Sequence, residues 1–233
     1  VSQYGFDTSL YSNIFAANYK LAVDTCTGKK LYTFCMCPGG EVIAAASEKE
    51  SICTNGMSYR NRDGRNSNAA LLVPVSSEDY GTGILDGILF QEQLERKAFV
   101  AGGSNYSAPV STFGSLVGKN THIDSVIPTY TPGYSEVDLS EVLPDFVINT
   151  LKDGINRMGK KIKGFDSSDA VLTAVEARSS SPVRILRNRD TFESLNISGL
   201  YLSGEGAGYA GGIMSSAIDG IKCANRLAQN MLN

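Results

Sequence analysis

The sequence predicts an α+β fold, in which helices pack on a mostly antiparallel sheet and a C-terminal strand, glycine loop and helix follow. Two observations predict the sheet: short runs rich in aromatic or β-branched residues fill the first 75 residues, and turn residues separate them. A third observation predicts the helices, because apolar residues recur every three or four positions in three later segments.

Five short strands are predicted in the N-terminal part of the chain. They cover residues 19–23, 31–36, 41–46, 51–57 and 69–75. Turns rich in Gly, Pro and Asn connect the first four strands, and strands joined by short turns pair antiparallel.

Three helices are predicted over residues 84–100, 143–162 and 212–230. The second has the clearest pattern, because its apolar residues are spaced by three or four and lie on one helical face. Those residues are Leu143, Val147, Leu151, Ile155, Met158 and Ile162. Pro144 suits the first turn of this helix, and Gly164 is expected to stop it.

The segments between the helices are less regular. Residues 171–177, 183–186 and 200–202 read as further strands. Residues 102–135 are rich in Gly, Ser, Thr, Pro and Tyr and read as a long irregular segment. A loop of this length commonly covers a site or contacts a partner.

The composition excludes several classes of protein. The chain has 233 residues, with 21 Lys+Arg against 24 Asp+Glu, so its charge gives no reason to expect binding to nucleic acid or to an anionic membrane. No apolar run is long enough for a membrane span, and no signal peptide is evident. The chain starts at Val1 without an initiator Met, so we expect Val1 to be an internal residue of a longer protein.

The cysteines and the histidine restrict the chemistry further. Five cysteines at irregular spacing predict thiols in a reducing compartment, and therefore a cytoplasmic protein. His122 is the one histidine, so any Ser-His or Cys-His pair would have to use it. The chain also lacks a GxSxG motif, so a hydrolase is not predicted. No metal site is predicted, because the sequence has no second CxC or CxxC.

The segment GLYLSGEGAGYAGGI, residues 199–213, carries the strongest functional pattern. An apolar stretch leads into a glycine loop and then into a helix, which gathers backbone N–H groups and a helix N-terminus around one point. Such a point attracts phosphate or a developing negative charge. The predicted cofactor-binding residues are Gly204, Glu205, Gly206, Ala207, Gly208, Tyr209, Gly211, Gly212 and Ile213.

Residues 206–211 match the pattern GxGxxG, but their context differs from a primary nucleotide fingerprint. That fingerprint needs a βαβ unit with an acidic residue about 20 positions on. The residues after Gly211 read as one helix, with no second strand. The adenine end of a dinucleotide therefore has to be held elsewhere. Glu205 suits hydrogen bonds from polyol hydroxyls, as in a flavin side chain; the alternative is a helix start whose glycines serve packing alone.

The sequence of this segment is similar to that of a known class of proteins. Residues 199–224, GLYLSGEGAGYAGGIMSSAIDGIKCA, resemble the C-terminal flavin-binding segment of two-dinucleotide-fold flavoproteins. More narrowly, the chain resembles a bacterial family of FAD-dependent, or NAD-utilising, dehydrogenases. The supporting stretches are YTFCMCPGG at 32–40, TNGMSY at 54–59 and EARSSSPVR at 176–184.

The resemblance implies that this chain is the C-terminal portion of an FAD-dependent oxidoreductase. Residues 1–190 would form the substrate or cap domain, and residues 191–233 would return to an N-terminal Rossmann domain that is absent here. By that similarity, Glu205 would bond the ribityl chain, and residues 206–212 with the next helix would face the pyrophosphate and the flavin. NAD(P)H would be the electron donor, the substrate an unidentified small molecule, and the isolated chain inactive and without FAD.

Two further residues are predicted to act on the substrate side. Arg178 ends a strand and enters a Ser-rich turn, where its forked guanidinium suits a carboxylate or a nicotinamide phosphate; the alternative is a surface arginine. Cys35 and Cys37 alternate on a strand and are expected to project from one face. They read either as a redox pair beside a flavin, with Cys37 catalytic, or as two small buried core residues.

An interpretation of a different class is a binding module for RNA or protein without catalysis of its own. It rests on the basic loop Tyr59–Asn66, which includes Arg60, Arg62 and Arg65. The alternative is a solvated hairpin tip, which an acidic chain favours. His122 reads in the same way, as a surface or packing residue rather than a proton shuttle.

Overall fold

The chain folds into two compact units. A computed structural model describes residues 20–46 and 48–232. Within them, the first unit comprises residues up to 74 together with 92–177, and the second comprises 75–91 and the residues from 178 onward. The last of the three points at which the chain passes between the units lies between Ala177 and Arg178, whereas the predicted functional division at residues 190 and 191 remains a prediction.

Antiparallel pairing in the first unit confirms the predicted α+β class. Strands β1 (Ala22–Asp24), β2 (Lys30–Cys37) and β5 (Asn68–Leu72) form one sheet in the order β1-β2-β5. Strands β3 (Gly40–Ala44) and β4 (Thr54–Ser58) pair separately, also antiparallel. All five lie within or overlap the predicted runs, although Tyr19, which starts the first run, lies outside the described residues.

A third sheet corrects the prediction of a long irregular segment at 102–135. Strand β6 (Ala108–Thr112) lies at its centre, parallel to β7 (Tyr134–Glu136) and antiparallel to β8 (Val171–Thr173). Every residue of β6 is buried. Its sequence APVST does not predict a strand, because proline and small polar residues are rare in central strands.

The two predicted helices of the central region are confirmed. Helix α2 spans Asp86–Ala101, and helix α4 spans Asp145–Gly159 with Pro144 at its start. The predicted face of α4 is buried at Leu151, Ile155 and Met158. Two short helices, α1 (Ser77–Tyr80) and α3 (Phe113–Leu116), and a 3-10 turn at Leu139–Glu141 complete the helical elements of this part.

Helix α4 lies very close to strand β2. A Cβ atom added at Gly154 would meet the Leu31 Cβ at 2.7 Å, so only glycine allows this approach. Leu31 and Met158 are fully buried, and Ile155 is nearly so. The core of the first unit therefore lies between the apolar face of α4 and the β1-β2-β5 sheet.

The second unit is irregular apart from α1, the start of α2 and helix α5 (Ile213–Leu232). The predicted strands at 183–186 and 200–202 are wrong, because only the isolated bridges Arg187–Ser194 and Glu193–Tyr201 form there. A strand needs a neighbouring strand for its backbone groups, and here the N–H of Ile185 donates to the Ala207 carbonyl instead. The C-terminal strand–loop–helix is thus an extended segment, a loop and a helix.

No helix among the described residues is both long and apolar enough to cross a membrane. The same residues contain no group of three or more His, Cys, Asp or Glu side chains placed to hold a metal ion.

Candidate functional site

The glycine loop, residues 204–212, is shaped by its own backbone. Gly204 and Gly208 have φ values of +75° and +81°, which side-chain-bearing residues rarely adopt. The Tyr209 N–H donates to the Gly204 carbonyl at 3.1 Å, and the Gly208 N–H donates to the Glu205 carbonyl at 2.8 Å. These bonds fold residues 204–209 into a tight turn, in which Glu205 is half-buried.

An ion pair that we call the Arg–Asp clamp fixes the base of this loop. The Arg187 Nη1 and Nη2 atoms donate to the two carboxylate oxygens of Asp219, each at 2.8 Å. Asp219 Oδ2 also accepts from the Gly204 N–H at 2.9 Å, and Arg187 Nη1 donates to the Leu202 carbonyl at 2.6 Å. The clamp therefore joins the start of the loop to helix α5.

The two charged groups of the clamp are shielded from water, and each affects the ionisation of the other. The Arg187 and Asp219 side chains are only 9% and 15% exposed. The hydrogen bond from Arg187 holds the pKa of Asp219 below its ordinary value, so the carboxylate stays ionised at neutral pH. A bidentate pair of this kind fixes orientation as well as distance.

Two aromatic rings hold the Arg187 guanidinium in place. Its carbon lies 3.7 Å from the Tyr209 ring centre and 4.1 Å from the Phe192 ring centre. The Tyr209 hydroxyl accepts a hydrogen bond from the backbone N–H of Arg187 and donates one to the backbone carbonyl of Ile185, both at 3.1 Å. Cation–π contacts to both rings add to the ion pair and fix Tyr209 within the loop.

The glycines of the loop divide into two groups. A Cβ at Gly208 would collide with the Val183 carbonyl, so packing requires this glycine. A Cβ at Gly206 or Gly211 would meet nothing within 4 Å, and neither residue has a positive φ. Neither packing nor backbone conformation therefore explains these two glycines. Both residues are exposed, so their backbone is open to solvent and accessible to a bound group.

The loop ends at the N-terminus of α5. The Gly212 N–H donates to the Ser215 Oγ at 3.2 Å, and that hydroxyl donates to the Gly212 carbonyl at 2.9 Å. The next N–H groups of a helix have no acceptor within it, and the helix dipole makes this end positive. The first turn of α5 contains no acidic side chain that would oppose an anion. The geometry fits the phosphate or polyol part of a cofactor.

Helix α5 has an apolar face that is open to solvent. Ile213, Met214, Ile218 and Ile221 are 85%, 71%, 47% and 62% exposed. Met214, Ile218 and Ile221 are spaced by four and three, so they form one stripe along the helix. Cys223, by contrast, is buried. The stripe is therefore an exposed apolar surface.

Cys37 lies at an irregular point of strand β2, in the first unit. The register shifts between Phe34 and Cys37, and Cys35 adopts φ +45°. This bulge interrupts the alternation from which one shared face for both thiols was expected. Burial raises the pKa of the Cys37 thiol, although a hydrogen bond with Ser58 opposes this, so the thiolate is disfavoured.

Glu176 is the titratable residue that the sequence reasoning missed in this region. It follows the buried Ala174 and Val175, and burial raises its pKa to about 7. Its charge also raises the pKa of Cys37, so the two side chains interact. A carboxyl group with this pKa can take up and release a proton near neutral pH. No local motif marks it, because its burial depends on the packing of distant segments.

The other predicted residues are dispersed. Arg178 is half-buried and belongs to the second unit, whereas Cys37 belongs to the first unit. Arg60, Arg62 and Arg65 are exposed, and their loop is tied to the first unit by the Gly64 N–H, which donates to the Gly39 carbonyl. His122 Nδ1 lies 3.1 Å from Glu136 Oε1.

Comparison with known proteins assigns the greater part of the chain to a family. The family model described as "FAD-dependent protein, C-terminal domain-like" matches residues 1–179. The chain belongs to this family. The match confirms the FAD-dependent part of the sequence prediction, and it ends within two residues of the division between the units. The glycine loop and α5 therefore follow the family domain.

A related sequence occurs within a longer protein. An uncharacterized protein of Clostridium beijerinckii is 48% identical over 233 residues, which covers 98% of this chain and 43% of the relative. The chain thus spans less than half of that relative's length. Because the match includes residues beyond 179, it covers the glycine loop as well as the family domain.

Proposed function

We propose that this chain is part of an FAD-dependent oxidoreductase, a dehydrogenase that takes electrons from NADH or NADPH. Its membership in the family of FAD-dependent C-terminal domains carries the proposal. Residues 1–190 would be the substrate domain, and residues 191–233 would build one wall of the flavin site. When bound, FAD supplies the exchange of a hydride or an electron pair.

The glycine loop and the start of α5 are proposed to hold the flavin. The Glu205 carboxylate would accept hydrogen bonds from ribityl hydroxyls, and the N–H groups of residues 206–212 would face the pyrophosphate. The open space beside Gly206 and Gly211 supports this role, because a group approaching the backbone there needs residues without Cβ. The positive end of α5 would stabilise negative charge on the flavin ring.

The rest of the flavin site is proposed to belong to a Rossmann domain of the same longer protein. Among the described residues, the segment before the GxGxxG pattern forms only an isolated bridge at Tyr201, so the loop is not preceded by the first strand of a dinucleotide-binding unit. The exposed stripe of Met214, Ile218 and Ile221 suits packing on the sheet of such a domain. The length of the Clostridium beijerinckii relative supports the presence of further polypeptide in this kind of protein.

Arg178 and Cys37 are proposed as the substrate-side residues. Arg178 would bind a carboxylate of a small-molecule substrate with its forked guanidinium. Cys37 would contribute a thiol near the reacting groups, and its interaction with Glu176 supplies a neighbouring proton carrier. The cysteines are present as thiols, which suits the proposed cytoplasmic location and a supply of reduced nicotinamide.

The longer relative offers the direct test of this proposal. We expect the purified Clostridium beijerinckii protein to show the flavin absorbance bands near 370 and 450 nm, as flavoproteins do, and to lose the second band when NADH or NADPH is added under nitrogen. Alanine at the position matching Glu205 should lower the flavin content. Alanine at the position matching Lys163, an exposed residue outside the glycine loop, should not. A relative that folds yet neither holds nor accepts flavin contradicts the proposal.

A further inference from the structure

Residues 183–185 run along the glycine loop within the second unit. The Ile185 N–H donates to the Ala207 carbonyl at 3.2 Å. A Cβ atom added at Gly208 would lie 2.9 Å from the Arg184 Cα, so the two backbones are in contact at this point. The position of Arg184 beside the loop is therefore set by backbone packing and does not depend on its side chain.

The Arg184 side chain turns back onto the same loop. Its Nε atom donates to the Gly208 carbonyl at 2.9 Å, and its guanidinium carbon lies 5.1 Å from the centre of the Tyr209 ring. A cation at this distance from an aromatic ring is attracted to it. Although Arg184 is an exposed residue, these two contacts hold its guanidinium group against the loop.

The terminal nitrogens of Arg184 are available to a ligand. Among the residues that the structure describes, neither Nη1 nor Nη2 has a hydrogen-bond or ion-pair partner. A guanidinium group has five N–H donors, and the bond to the Gly208 carbonyl uses one of them. The two terminal nitrogens form a fork that binds a phosphate group through two parallel hydrogen bonds. Arg184 therefore offers this fork in a fixed position at the glycine loop.

The other charged groups of the loop narrow the class of ligand. Asp219 balances the charge of Arg187 in the Arg–Asp clamp, so the clamp adds no net charge. Glu205 belongs to the same turn as Gly208 and brings one carboxylate to it. A carboxylate accepts hydrogen bonds from hydroxyl groups but repels an anion placed beside it. The turn therefore favours a ligand that carries hydroxyl groups next to its phosphate over an inorganic anion.

We propose that Arg184 binds the phosphate group of a phosphorylated polyol, and that Glu205 accepts hydrogen bonds from the hydroxyl groups of the same ligand. In FAD, this phosphate is the one nearest the ribityl chain. The inference rests on the proposed function and extends it, because it assigns one phosphate of the cofactor to a side chain that the glycine pattern does not include. Sugar phosphates share this chemistry, so the experiment includes one of them beside a flavin.

An NMR titration of the full chain measures binding at the glycine loop. The backbone amide resonances of residues 204–212 are followed while flavin mononucleotide, ribose 5-phosphate, ribitol or inorganic phosphate is added at millimolar concentration, at constant pH and ionic strength. We expect the two phosphorylated polyols to move these resonances with saturation, and ribitol and inorganic phosphate to bind at least tenfold more weakly. Equal binding of inorganic phosphate or of ribitol overturns the proposal, as does the absence of saturable shifts with both phosphorylated polyols.

The two phosphorylated polyols also separate this inference from the proposed function. Tighter binding of flavin mononucleotide than of ribose 5-phosphate supports both. Equal binding of the two supports the assignment of Arg184 to a polyol phosphate and counts against a flavin as the ligand. If the Clostridium beijerinckii protein holds flavin but neither phosphorylated polyol gives saturable shifts in this chain, the assignment of Arg184 is overturned and the proposed function stands.

Arginine variants test the role assigned to Arg184. Arg184→Met removes the charge and keeps most of the apolar stem, and we expect the affinity for flavin mononucleotide to fall at least tenfold. Arg184→Lys keeps the charge and a donor for the Gly208 carbonyl, so it should recover part of that affinity. Arg189→Met is the matched control, because Arg189 is also exposed and, among the described residues, no hydrogen bond or ion pair joins it to the loop.

Melting temperatures within a few degrees of the parent chain establish that the three variants fold. Unchanged affinity in Arg184→Met overturns the assignment, as does an equal loss in Arg189→Met. A loss in Arg184→Lys as large as that in Arg184→Met also overturns it, because the charge of the side chain would then make no contribution.

Discussion

Replacing Asp219 by Asn is predicted to destabilise the second unit through the Arg–Asp clamp. Asn has nearly the same volume, so the change removes charge without creating a cavity. It leaves the Arg187 guanidinium, whose side chain is only 9% exposed, without its counter-charge. It also weakens the acceptor for the Gly204 N–H, which fixes the start of the glycine loop.

The size of the effect follows from the burial of the pair. Removing one partner of a buried ion pair costs about 3–5 kcal/mol. The two side chains retain some exposure, at 9% and 15%, so we expect the lower end, about 3 kcal/mol. In a chain of this size, each kcal/mol lowers the melting temperature by about 2–4 °C, so the expected fall is about 6–12 °C.

Thermal unfolding followed by circular dichroism measures this change, with Arg187→Gln and the double variant completing a double-mutant cycle. A matched control is Glu50→Gln, because Glu50 pairs with Arg96 in a pair whose side chains are 46% and 62% exposed. Exposed pairs contribute no more than about 1 kcal/mol. The reasoning is refuted if Asp219→Asn costs no more than Glu50→Gln, or if the two clamp variants add without coupling.

The clamp also predicts a dependence on acid. The pKa of Asp219 is depressed in the folded chain, so its contribution to stability is fully present above the ordinary value of 3.8. It is lost as the pH falls below that value towards the depressed pKa. Stability of the parent chain and of Asp219→Asn, measured by urea unfolding between pH 6 and pH 2.5, should therefore converge as the pH falls. A constant difference contradicts the assignment.

Three further predictions concern other parts of the chain. Gly208→Ala should lower the free energy of unfolding by about 2 kcal/mol, because Gly208 has a positive φ and its Cα lies close to the Val183 carbonyl. Gly206→Ala should change the free energy of unfolding by less than about 0.5 kcal/mol. Equal effects of the two variants in urea unfolding contradict the division of the glycines. Glu176→Gln should become progressively more stable than the parent chain as the pH rises from 4.5 to about 7, by no more than about 3 kcal/mol. The reason is that the raised pKa favours the neutral carboxyl group in the folded parent chain, so ionisation destabilises the parent alone. A stability difference that does not change with pH contradicts this prediction. Ile218→Glu should leave the melting temperature nearly unchanged, since the side chain is 47% exposed; a large loss of stability means that the stripe packs within the chain.

Local sequence predicted the regular elements well where the pattern was strong. The spacing of Leu151, Ile155 and Met158 and the position of Pro144 placed helix α4 to within three residues at each end, although it ends at Gly159 rather than at the expected stop, Gly164. The antiparallel strands of the first unit were found because turn residues separate them and neighbours in sequence pair in space. In these cases the local pattern and the tertiary packing favour the same structure.

The prediction failed where pairing depends on distant residues. Strand β6 contains Pro109 and small polar residues, yet it is the buried centre of a sheet whose other strands come from residues 134–136 and 171–173. Residues 183–186 have strand-like composition but no partner strand, so Ile185 bonds to Ala207 of the glycine loop instead. Composition alone does not distinguish these two cases.

The candidate site was predicted in part for the same reason. The glycine loop and the start of α5 could be found because their pattern is contiguous in sequence. The Arg–Asp clamp joins residues 32 positions apart, and neither Arg187 nor Asp219 belongs to a motif. The pKa of Glu176 is likewise set by burial that only the folded chain creates.

Titration of this chain with FAD tests the central claim most directly, namely that the glycine loop forms one wall of a flavin site whose remainder belongs to other polypeptide. Calorimetry and the quenching of flavin fluorescence report binding without requiring a reaction. We predict weak binding that does not saturate at micromolar FAD, and no difference between the parent chain and Glu205→Ala. Tight binding of one FAD per chain would contradict the claim, because it would show that the chain holds a complete nucleotide site.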